Sequence, residues 1–528
     1  MAGQEKRNDQ TAPLGVQRLG AVAILLAASV FLSRVMGFIR EMVLAAQIGL
    51  GPSADAYYAA FQIPDLLNYL LAGGALAVAF TPLYLRTLRN QGEGEAHELF
   101  KVVLGTLGLA VCVATGLLWV YAEALVDLQF GAFDEKTREL TVTLTRIVLP
   151  GQIFFVAGGI VRAVLMAHGR FAAQAAAPLL YNGSIIVGGL VFQSVAGFAW
   201  GALVGAVLGG WLFPVYDLRR VTRLGFRIAP LHPSFRLYLW GALPLMIGLS
   251  LTTVDEWYER FFGARLGVGV VAALAFARRM MMAPVAIVGQ AVATATLPSL
   301  SALHAEGRER ELNNILLTTL RGTSVLSLMA GGAVFALAHP IIQLAYQRGA
   351  FDATDSERVS LLLTWMAWAV PGWVLQQVAI RAFFARNEMW RPMILSTCLS
   401  VGALPIYFRL GDVWGAEGLV LAGVLAISVN AGLTLAWVRL RFGGPHLVPL
   451  AMTSVRGLVI VAAASGLAVW VQRGGGDTNG AILDLASGLG VYLVIFLLGV
   501  RLLGDQSMRD TLTRFGSSVW RRLRRAKS

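Results

Sequence analysis

The chain has 528 residues, of which 57% are hydrophobic and 14% are charged, and its formal net charge is +13. Soluble proteins carry a charge on about a quarter of their residues, so this composition excludes an ordinary soluble protein and predicts a polytopic membrane protein. The positive charge does not indicate nucleic-acid binding, because no soluble domain is present to hold it. The two cysteines, Cys112 and Cys398, form no metal-binding pattern.

Apolar runs of about 20 residues, the length that crosses the hydrocarbon core of a bilayer, recur along the whole chain. They predict fourteen spans in an all-α protein, at residues 20–48, 55–86, 99–123, 141–167, 173–193, 197–216, 236–264, 270–303, 315–345, 358–385, 390–408, 415–438, 450–472 and 481–504. Arginines concentrate in the connections that follow even-numbered spans. The positive-inside rule therefore predicts that both termini are cytoplasmic.

A repeat divides the first twelve predicted spans into two halves. The segments "GAFDEKTRELTVTLTRIVLPG" and "GIVRAVLMAHGRF" resemble "GAFDATDSERVSLLLTWMAWAVPG" and "VAIRAFFARNEMW". The positions that pair across the repeat are Gly131 with Gly349, Pro150 with Pro371, and Arg162 with Arg381. Two six-helix copies share one orientation, and such parallel repeats are typical of transporters whose substrate site lies between the halves.

The repeat and the charge pattern predict five segments. These are a cytoplasmic N-terminal tail (1–19), an N-lobe of spans 1–6 (20–218), a C-lobe of spans 7–12 (235–440), spans 13 and 14 (450–504), and a basic amphipathic cytoplasmic tail (505–528). In the last segment, apolar residues at helical spacing alternate with arginines. This pattern favours a helix lying on anionic phospholipids, and a disordered basic tail is the alternative.

Charges interrupt the first predicted span at "SRVMGFIRE", residues 33–41. Arg34 lies roughly 22 Å into that span at about 1.5 Å per residue. Since a charge at this depth costs about 2.5–3.5 kcal/mol, it should face a partner or a watery cavity. Arg34 and Arg40 fit within one arc of the helix. Arg40 could also be an end-of-span charge with Glu41 as its local partner.

Further charges lie in spans 2, 7 and 8. In "AFARRMMMAP", the adjacent Arg278 and Arg279 point about 100° apart on a helix, so only one should face a cavity and the other could pair with Glu256, Glu259 or a lipid headgroup. Asp55 begins span 2, where a carboxylate either interacts with the helix dipole or faces the cavity.

Arginines in a membrane cavity favour a substrate with phosphate, because guanidinium groups bind phosphate bidentately and stay charged. The chain has no GxxxxGK[ST] motif and only short cytoplasmic loops, which speaks against an ATPase. We therefore predict a transporter, not an enzyme, that needs no cofactor. Its energy would come from coupling to Na⁺ or H⁺, from the membrane potential or from the substrate gradient.

Several segments resemble the MurJ/MviN family of lipid II flippases, within the multidrug/oligosaccharidyl-lipid/polysaccharide exporter superfamily. They include "SRVMGFIREMVLAAQIGLGPSADAYYAAFQIPDLL", "GGALAVAFTPLY", "FARRMMMAP", "YQRGAFDATDS" and "IRAFFARNEMWRP". The resemblance covers essentially the whole chain. It implies two lobes around a cationic cavity, a groove for a polyprenyl tail at spans 13 and 14, and a monomer in the bacterial cytoplasmic (inner) membrane. The implied substrate is lipid II or a related polyprenyl-pyrophosphate glycan used in peptidoglycan synthesis.

The resemblance also implies roles for individual residues. Family members usually carry an arginine at the position of Asn68, and members proposed to bind sodium use acid and amide groups that Glu259 and Asn430 could match, with Thr397 and Ser400 nearby on span 11. The implied substrate-binding residues are Ser33, Arg34, Arg40, Asp55, Asn68 and Arg279.

Three alternatives compete with a lipid II flippase. An exporter of another lipid-linked oligosaccharide fits the same features. A multidrug or cation extruder would prefer an acidic cavity, and the arginines of spans 1 and 8 argue against this alternative. A polyprenyl-phosphate glycosyltransferase should have a long extracytoplasmic loop with paired acids, and the longest such loop here, residues 123–140, has only Asp134 and Glu135.

Overall fold

The computed structural model describes residues 16–71, 75–250, 254–474 and 478–527. Within these ranges the regular structure is entirely helical, which confirms the predicted all-α class. Residues 1–15 of the predicted N-terminal tail lie outside the described residues. The elements follow in chain order.

The helices are α1 (Val16–Ile48), α2 (Pro52–Ala60), α3 (Gln62–Leu71), α4 (Ala75–Gln91), α5 (Glu93–Val120), α6 (Ala122–Phe130), α7 (Glu135–Val148), α8 (Gly151–Ala167), α9 (Ala172–Phe192), α10 (Val195–Gly205), α11 (Phe213–Leu218), α12 (Pro233–Ser250), α13 (Val254–Gly263), α14 (Val270–Pro284), α15 (Ala291–Ala305), α16 (Glu309–Ala336), α17 (Ala338–Tyr346), α18 (Ala353–Met366), α19 (Ala369–Ala379), α20 (Arg381–Phe384), α21 (Trp390–Phe442), α22 (Leu447–Val471), α23 (Thr478–Leu503) and α24 (Gln506–Lys527). Two π-helices, Ala206–Leu212 and Val285–Gln290, join α10 to α11 and α14 to α15.

Long apolar helices confirm that the protein spans a membrane many times. Among the described residues, nine segments are long and apolar enough to cross, or ten if the bent pair Ala353–Met366 and Ala369–Phe384 counts as one span. This count is consistent with fourteen spans but does not confirm that number. One segment, α21, covers both the eleventh and the twelfth predicted spans, which meet at Gly415. Its φ of +61° lies in the left-handed region that glycine adopts without steric cost.

Several predicted spans are interrupted helices. Span 4 consists of α7 and α8, which are separated at Pro150, where the missing N–H cannot continue the helix. Spans 6 and 8 each contain a π-helix, in the second case directly after Pro284. Apolar periodicity does not reveal such insertions, because the extra residue changes the helix register without changing the local hydropathy.

The chain forms two compact units. Unit 1 comprises residues 1–257, 267–271 and 348–350, and unit 2 comprises residues 258–266, 272–347 and 351–528. The C-lobe was predicted to begin at residue 235, whereas α12 belongs to unit 1. The reason is aromatic packing: Tyr238 is almost fully buried and lies edge-on to Phe80, and Phe235 joins the same core.

Spans 13 and 14 pack within unit 2. Val461 on α22 and Phe496 on α23 share a buried cluster with Val325 on α16. The Tyr492 hydroxyl donates a hydrogen bond of 2.8 Å to the Met329 carbonyl oxygen. The two spans outside the repeat are therefore integral to the core of this unit.

The C-terminal tail forms a helix, α24, that begins at Gln506, directly after Asp505. The Asp505 carboxylate accepts hydrogen bonds from the Met508 backbone N–H (2.9 Å), the Thr453 hydroxyl (2.6 Å) and the Arg321 guanidinium (2.9 Å). Burial opposes the charged form, but these hydrogen bonds outweigh it and lower the pKa of Asp505 below its ordinary value. The carboxylate thus fixes the start of α24 against α16 and α22. Binding of this tail to anionic phospholipids stays a prediction.

Candidate substrate-binding residues in two units

In unit 1, α1 carries the polar residues of "SRVMGFIRE" within an otherwise apolar helix. Ser33 is partly exposed and Arg34 is exposed. Arg40 lies about one and two-thirds turns further on, with 15% of its side chain exposed, and Glu41 is 2% exposed. The same short stretch therefore holds one accessible guanidinium and one largely buried ion pair.

The buried pair has partners on two other helices. The Arg40 guanidinium lies 2.6 Å from a Glu41 carboxylate oxygen and donates a 3.1 Å hydrogen bond to Asn182 Oδ1 on α9. The Tyr58 hydroxyl of α2 donates a 2.5 Å hydrogen bond to the other Glu41 oxygen. The alternative in which Glu41 is the local partner of Arg40 is thus present in the structure, and the pair joins three helices.

Asn182 was not among the predicted site residues. Besides accepting from Arg40, its side-chain amide lies 3.4 Å from the Ser33 hydroxyl and 3.0 Å from the Pro178 carbonyl oxygen. The sequence feature that could have identified Asn182 is its position as an amide within the apolar run 173–193. A polar side chain in a membrane helix usually has a partner in the helix bundle. Asn182 connects Ser33 and Arg40 into one polar group.

The remaining predicted residues of unit 1 lie on α2 and α3. Asp55 is 1% exposed, and its carboxylate accepts a 2.5 Å hydrogen bond from the Gly269 backbone N–H. This contact attaches the 267–271 segment to the first turn of α2. Asn68 is partly exposed on α3. The structure therefore gives Asp55 a structural bond, while its predicted role toward a substrate stays a prediction.

In unit 2, the two adjacent arginines of α14 differ in environment, as their angular separation predicts. Arg278 binds Glu259 of α13 through two contacts, Nε to Oε2 at 2.8 Å and an Nη atom to Oε1 at 2.5 Å. Both side chains are largely buried, whereas Arg279 is exposed. Of the two arginines, Arg279 is thus the one accessible to a ligand.

Asn430 lies in a second polar group of unit 2. It exchanges hydrogen bonds with Ser396 of the same merged helix and accepts one from Gln376 at 3.3 Å. Ser396, and not the Thr397 or Ser400 named from the sequence, supplies the partner. Glu259 lies beside Gly423, seven residues before Asn430 and therefore about 10 Å away along the helix. The structure does not join Glu259 and Asn430 directly.

No group of three or more histidine, cysteine, aspartate or glutamate side chains suited to a metal ion occurs in the part of the chain that the structure describes. Glu259, the acidic member of the predicted cation site, is already neutralised by Arg278. A cation there would compete with a bidentate guanidinium, so this site stays a prediction.

Solved structures of transporters share the fold of this chain. A structure titled "Lipid II flippase MurJ, inward closed conformation" superposes with a TM-score of 0.76 at 20% identity and covers 90% of this chain and 99% of its own. An inward-facing multidrug resistance MATE family transporter of the MOP superfamily superposes with a TM-score of 0.66 at 17% identity, with coverage of 80% and 96%. The fold is that of these polytopic transporters.

Sequence comparison identifies the family. The model described as "Lipid II flippase MurJ" matches residues 44–475. A probable lipid II flippase of Rhizobium meliloti is 29% identical over 451 residues, covering 83% of this chain and 84% of that protein. The lipid II flippase of Burkholderia cenocepacia is 28% identical over 425 residues, covering 78% and 82%. The chain belongs to the MurJ family, as its motifs predicted.

Proposed function

We propose that this protein moves lipid II from the inner to the outer leaflet of the bacterial cytoplasmic membrane by alternating access. The family match across residues 44–475 carries the proposal. The chemistry of the site supports it, because Arg34 and Arg279 are exposed guanidinium groups within membrane helices. A guanidinium binds a diphosphate through paired, charge-assisted hydrogen bonds and stays charged at every relevant pH.

The same chemistry weighs against the alternatives. A cation extruder would need accessible carboxylates, whereas Glu41 and Glu259 are each engaged by an arginine. The MATE structure is only 17% identical to this chain, so the similarity is one of fold alone and carries no function over. We propose transport without a chemical reaction. The cytoplasmic orientation of both termini, the monomeric state and coupling to Na⁺, H⁺ or the membrane potential stay predictions.

Growth of cells depleted of their own lipid II flippase tests the proposal. We expect expression of this chain to restore growth and to restore the appearance of lipid II in the outer leaflet. Cells with an empty vector define the baseline, and an immunoblot of the membrane fraction establishes that the protein is inserted. Correct insertion without rescue would contradict lipid II as the substrate and favour another lipid-linked oligosaccharide.

We also propose that the polyprenyl tail lies along α22 and α23. A cleft of about 520 Å³ opens between these helices, and its lining is apolar except for one guanidinium: Val455, Arg456, Val459, Leu502, Leu503 and Gly504. An apolar cleft that begins beside a cationic group suits a lipid chain attached to a phosphate. Deleting the two spans would not test this, because they complete the core of unit 2.

A single bulky substitution is the sharper test of the cleft. We expect Val459→Trp to reduce lipid II flipping several-fold at normal abundance, since the indole would fill the space that the tail needs. Val469→Trp is the matched control, because Val469 is half-exposed on the same helix but does not line the cleft. Flipping measured in proteoliposomes separates the two variants. Equal rates in both would exclude the cleft as the tail site.

A further inference from the structure

One pair of arginines recurs at the same place in both copies of the repeat and has no part in the site described above. Arg162 lies on α8, five residues before that helix ends at Ala167, and Arg381 begins α20 in the matching segment 219 residues later. Each sits within a predicted membrane span. A charged residue within a membrane span is costly in both halves. The presence of an arginine at the same position of both copies therefore indicates that the two arginines have the same function.

Arg162 is held by neutral groups. Its Nε donates a 3.1 Å hydrogen bond to Gln174 Oε1 on α9, and one Nη atom lies 3.4 Å from the Gly210 carbonyl oxygen. A guanidinium has five N–H donors, so these contacts leave three unused. Within the described ranges, Arg162 has no carboxylate partner, and its charge is not neutralised by the protein.

The surroundings of Arg162 are closely packed. Gly210 belongs to the π-helix Ala206–Leu212, and π-bulges are frequent at functional sites. Gly158 permits the close approach of α8 to this π-helix: a Cβ atom at residue 158 would lie 1.5 Å from the Gly210 oxygen. The guanidinium is therefore directed toward neighbouring helices of unit 1 and not simply along its own helix to the membrane surface.

Arg381 is even less satisfied in unit 2. Its Nε atom is buried and has no hydrogen-bond partner in the described part of the chain. Its guanidinium carbon lies 5.3 Å from the centre of the Phe384 ring, which is a favourable but neutral contact. The neighbouring Arg386 differs, because it pairs with Glu309 at 2.6 Å. Of these two arginines, Arg386 is neutralised by a carboxylate, whereas Arg381 has no carboxylate partner in the described part of the chain.

We propose that Arg162 in unit 1 and Arg381 in unit 2 are each a separate binding group for the diphosphate of the transported lipid. The ligand group that suits these arginines is a phosphate, because two of its oxygens can accept hydrogen bonds from the unused N–H donors of a guanidinium. Phosphate is also present in membrane phospholipids, and the experiment distinguishes that source. The assignment of the diphosphate rests on the proposed function.

Binding to the purified full chain in phosphatidylcholine nanodiscs tests both positions. The probes are undecaprenyl diphosphate and phosphatidylglycerol, compared for the wild type, Arg162→Gln, Arg162→Lys and Arg381→Gln. Losing a charge-assisted hydrogen bond should weaken undecaprenyl diphosphate binding about tenfold or more. Lysine should fall between wild type and glutamine because it keeps the charge but lacks the fork. Phosphatidylglycerol binding should not change.

Arg146→Gln is the matched control. Arg146 lies in the same predicted span, over the Trp119 ring at 5.2 Å, and its loss should leave the affinity of both probes unchanged. Melting temperatures check folding. If Arg162→Gln unfolds, Arg162→Lys and Gln174→Ala are used instead to test the binding role. Both should still weaken diphosphate binding. A purely structural arginine would change the melting temperature of these variants without changing their affinity, which would overturn the proposal.

The outcomes separate this inference from the proposed function. Unchanged diphosphate affinity in the Arg162 and Arg381 variants, together with growth rescue by the wild type, overturns the phosphate sites and leaves lipid II transport intact. Weakened diphosphate binding without rescue by the wild type supports the sites and rejects lipid II. A loss confined to phosphatidylglycerol binding would assign the arginines to phospholipid and overturn the proposal.

Discussion

Replacement of Arg40 by alanine should remove most of the folded protein from the membrane. Glu41 is 2% exposed and holds the Arg40 guanidinium at 2.6 Å. Without that guanidinium, the buried Glu41 carboxylate loses its ion pair with Arg40. Breaking a buried ion pair in this way costs about 3–5 kcal/mol. Because whole domains are stable by only about 5–15 kcal/mol, this is a large fraction of the total.

A double variant tests whether the loss of the Arg40–Glu41 ion pair is the cause. Arg40→Ala combined with Glu41→Gln removes both charges, so its abundance should recover toward the wild-type level. The Tyr58 hydroxyl can still donate to the new amide oxygen, as it now donates to Glu41. Immunoblots of membranes and melting temperatures of purified protein give the comparison. Wild-type abundance of Arg40→Ala would show that the ion pair has no structural role.

The sequence predicted the Arg40–Glu41 pair as one of two alternatives because the residues are adjacent at the end of a span. It could not predict that Asn182 and Tyr58 complete the group. Asn182 is 142 residues away from Arg40, and an apolar run of about 20 residues marks a span without giving the direction of any one side chain. Helix packing supplies that information.

The same limit applies to Arg278 and Arg279. Adjacent residues on a helix point about 100° apart, so the sequence predicted that only one of them would be accessible and named Glu259 as a candidate partner of the other. The identity of the paired arginine, Arg278, depends on how α13 and α14 pack. The interrupted spans have a similar cause, since the two π-helices change helix register without changing hydropathy.

The family was predictable for a different reason. Its motifs, such as "FARRMMMAP" in α14, combine charged residues with apolar runs within one short segment, and the match to residues 44–475 confirms the assignment. The boundary between the two units was less predictable. It depends on the aromatic contact of Tyr238 with Phe80, two residues whose predicted spans belong to different halves of the repeat.

Loss of transport at normal abundance is the expected result for Arg34→Ala. Arg34 is exposed on α1, whereas Arg40 is largely buried in its ion pair. Substitution of Arg34 should therefore reduce transport, whereas substitution of Arg40 should reduce the amount of folded protein. Removing a charge-assisted contact to the diphosphate costs about 1.5–3 kcal/mol, which corresponds to roughly 10- to 150-fold in affinity. Arg34→Lys should recover part of this affinity, because the charge remains but the planar fork is lost.

Flipping rate, affinity for undecaprenyl diphosphate and abundance should be measured together for Arg34→Ala, Arg40→Ala and the control Arg146→Ala. The control removes an arginine that lies over Trp119 and should match the wild type in all three measurements. Arg34→Ala with wild-type flipping and affinity would reject the substrate-binding role of Arg34. Reduced abundance at unchanged affinity per folded molecule would instead place Arg34 with Arg40 as a structural residue. We expect the opposite division, because an exposed guanidinium can exchange its partners for the substrate phosphate, whereas the Arg40 guanidinium is already committed to Glu41 and Asn182.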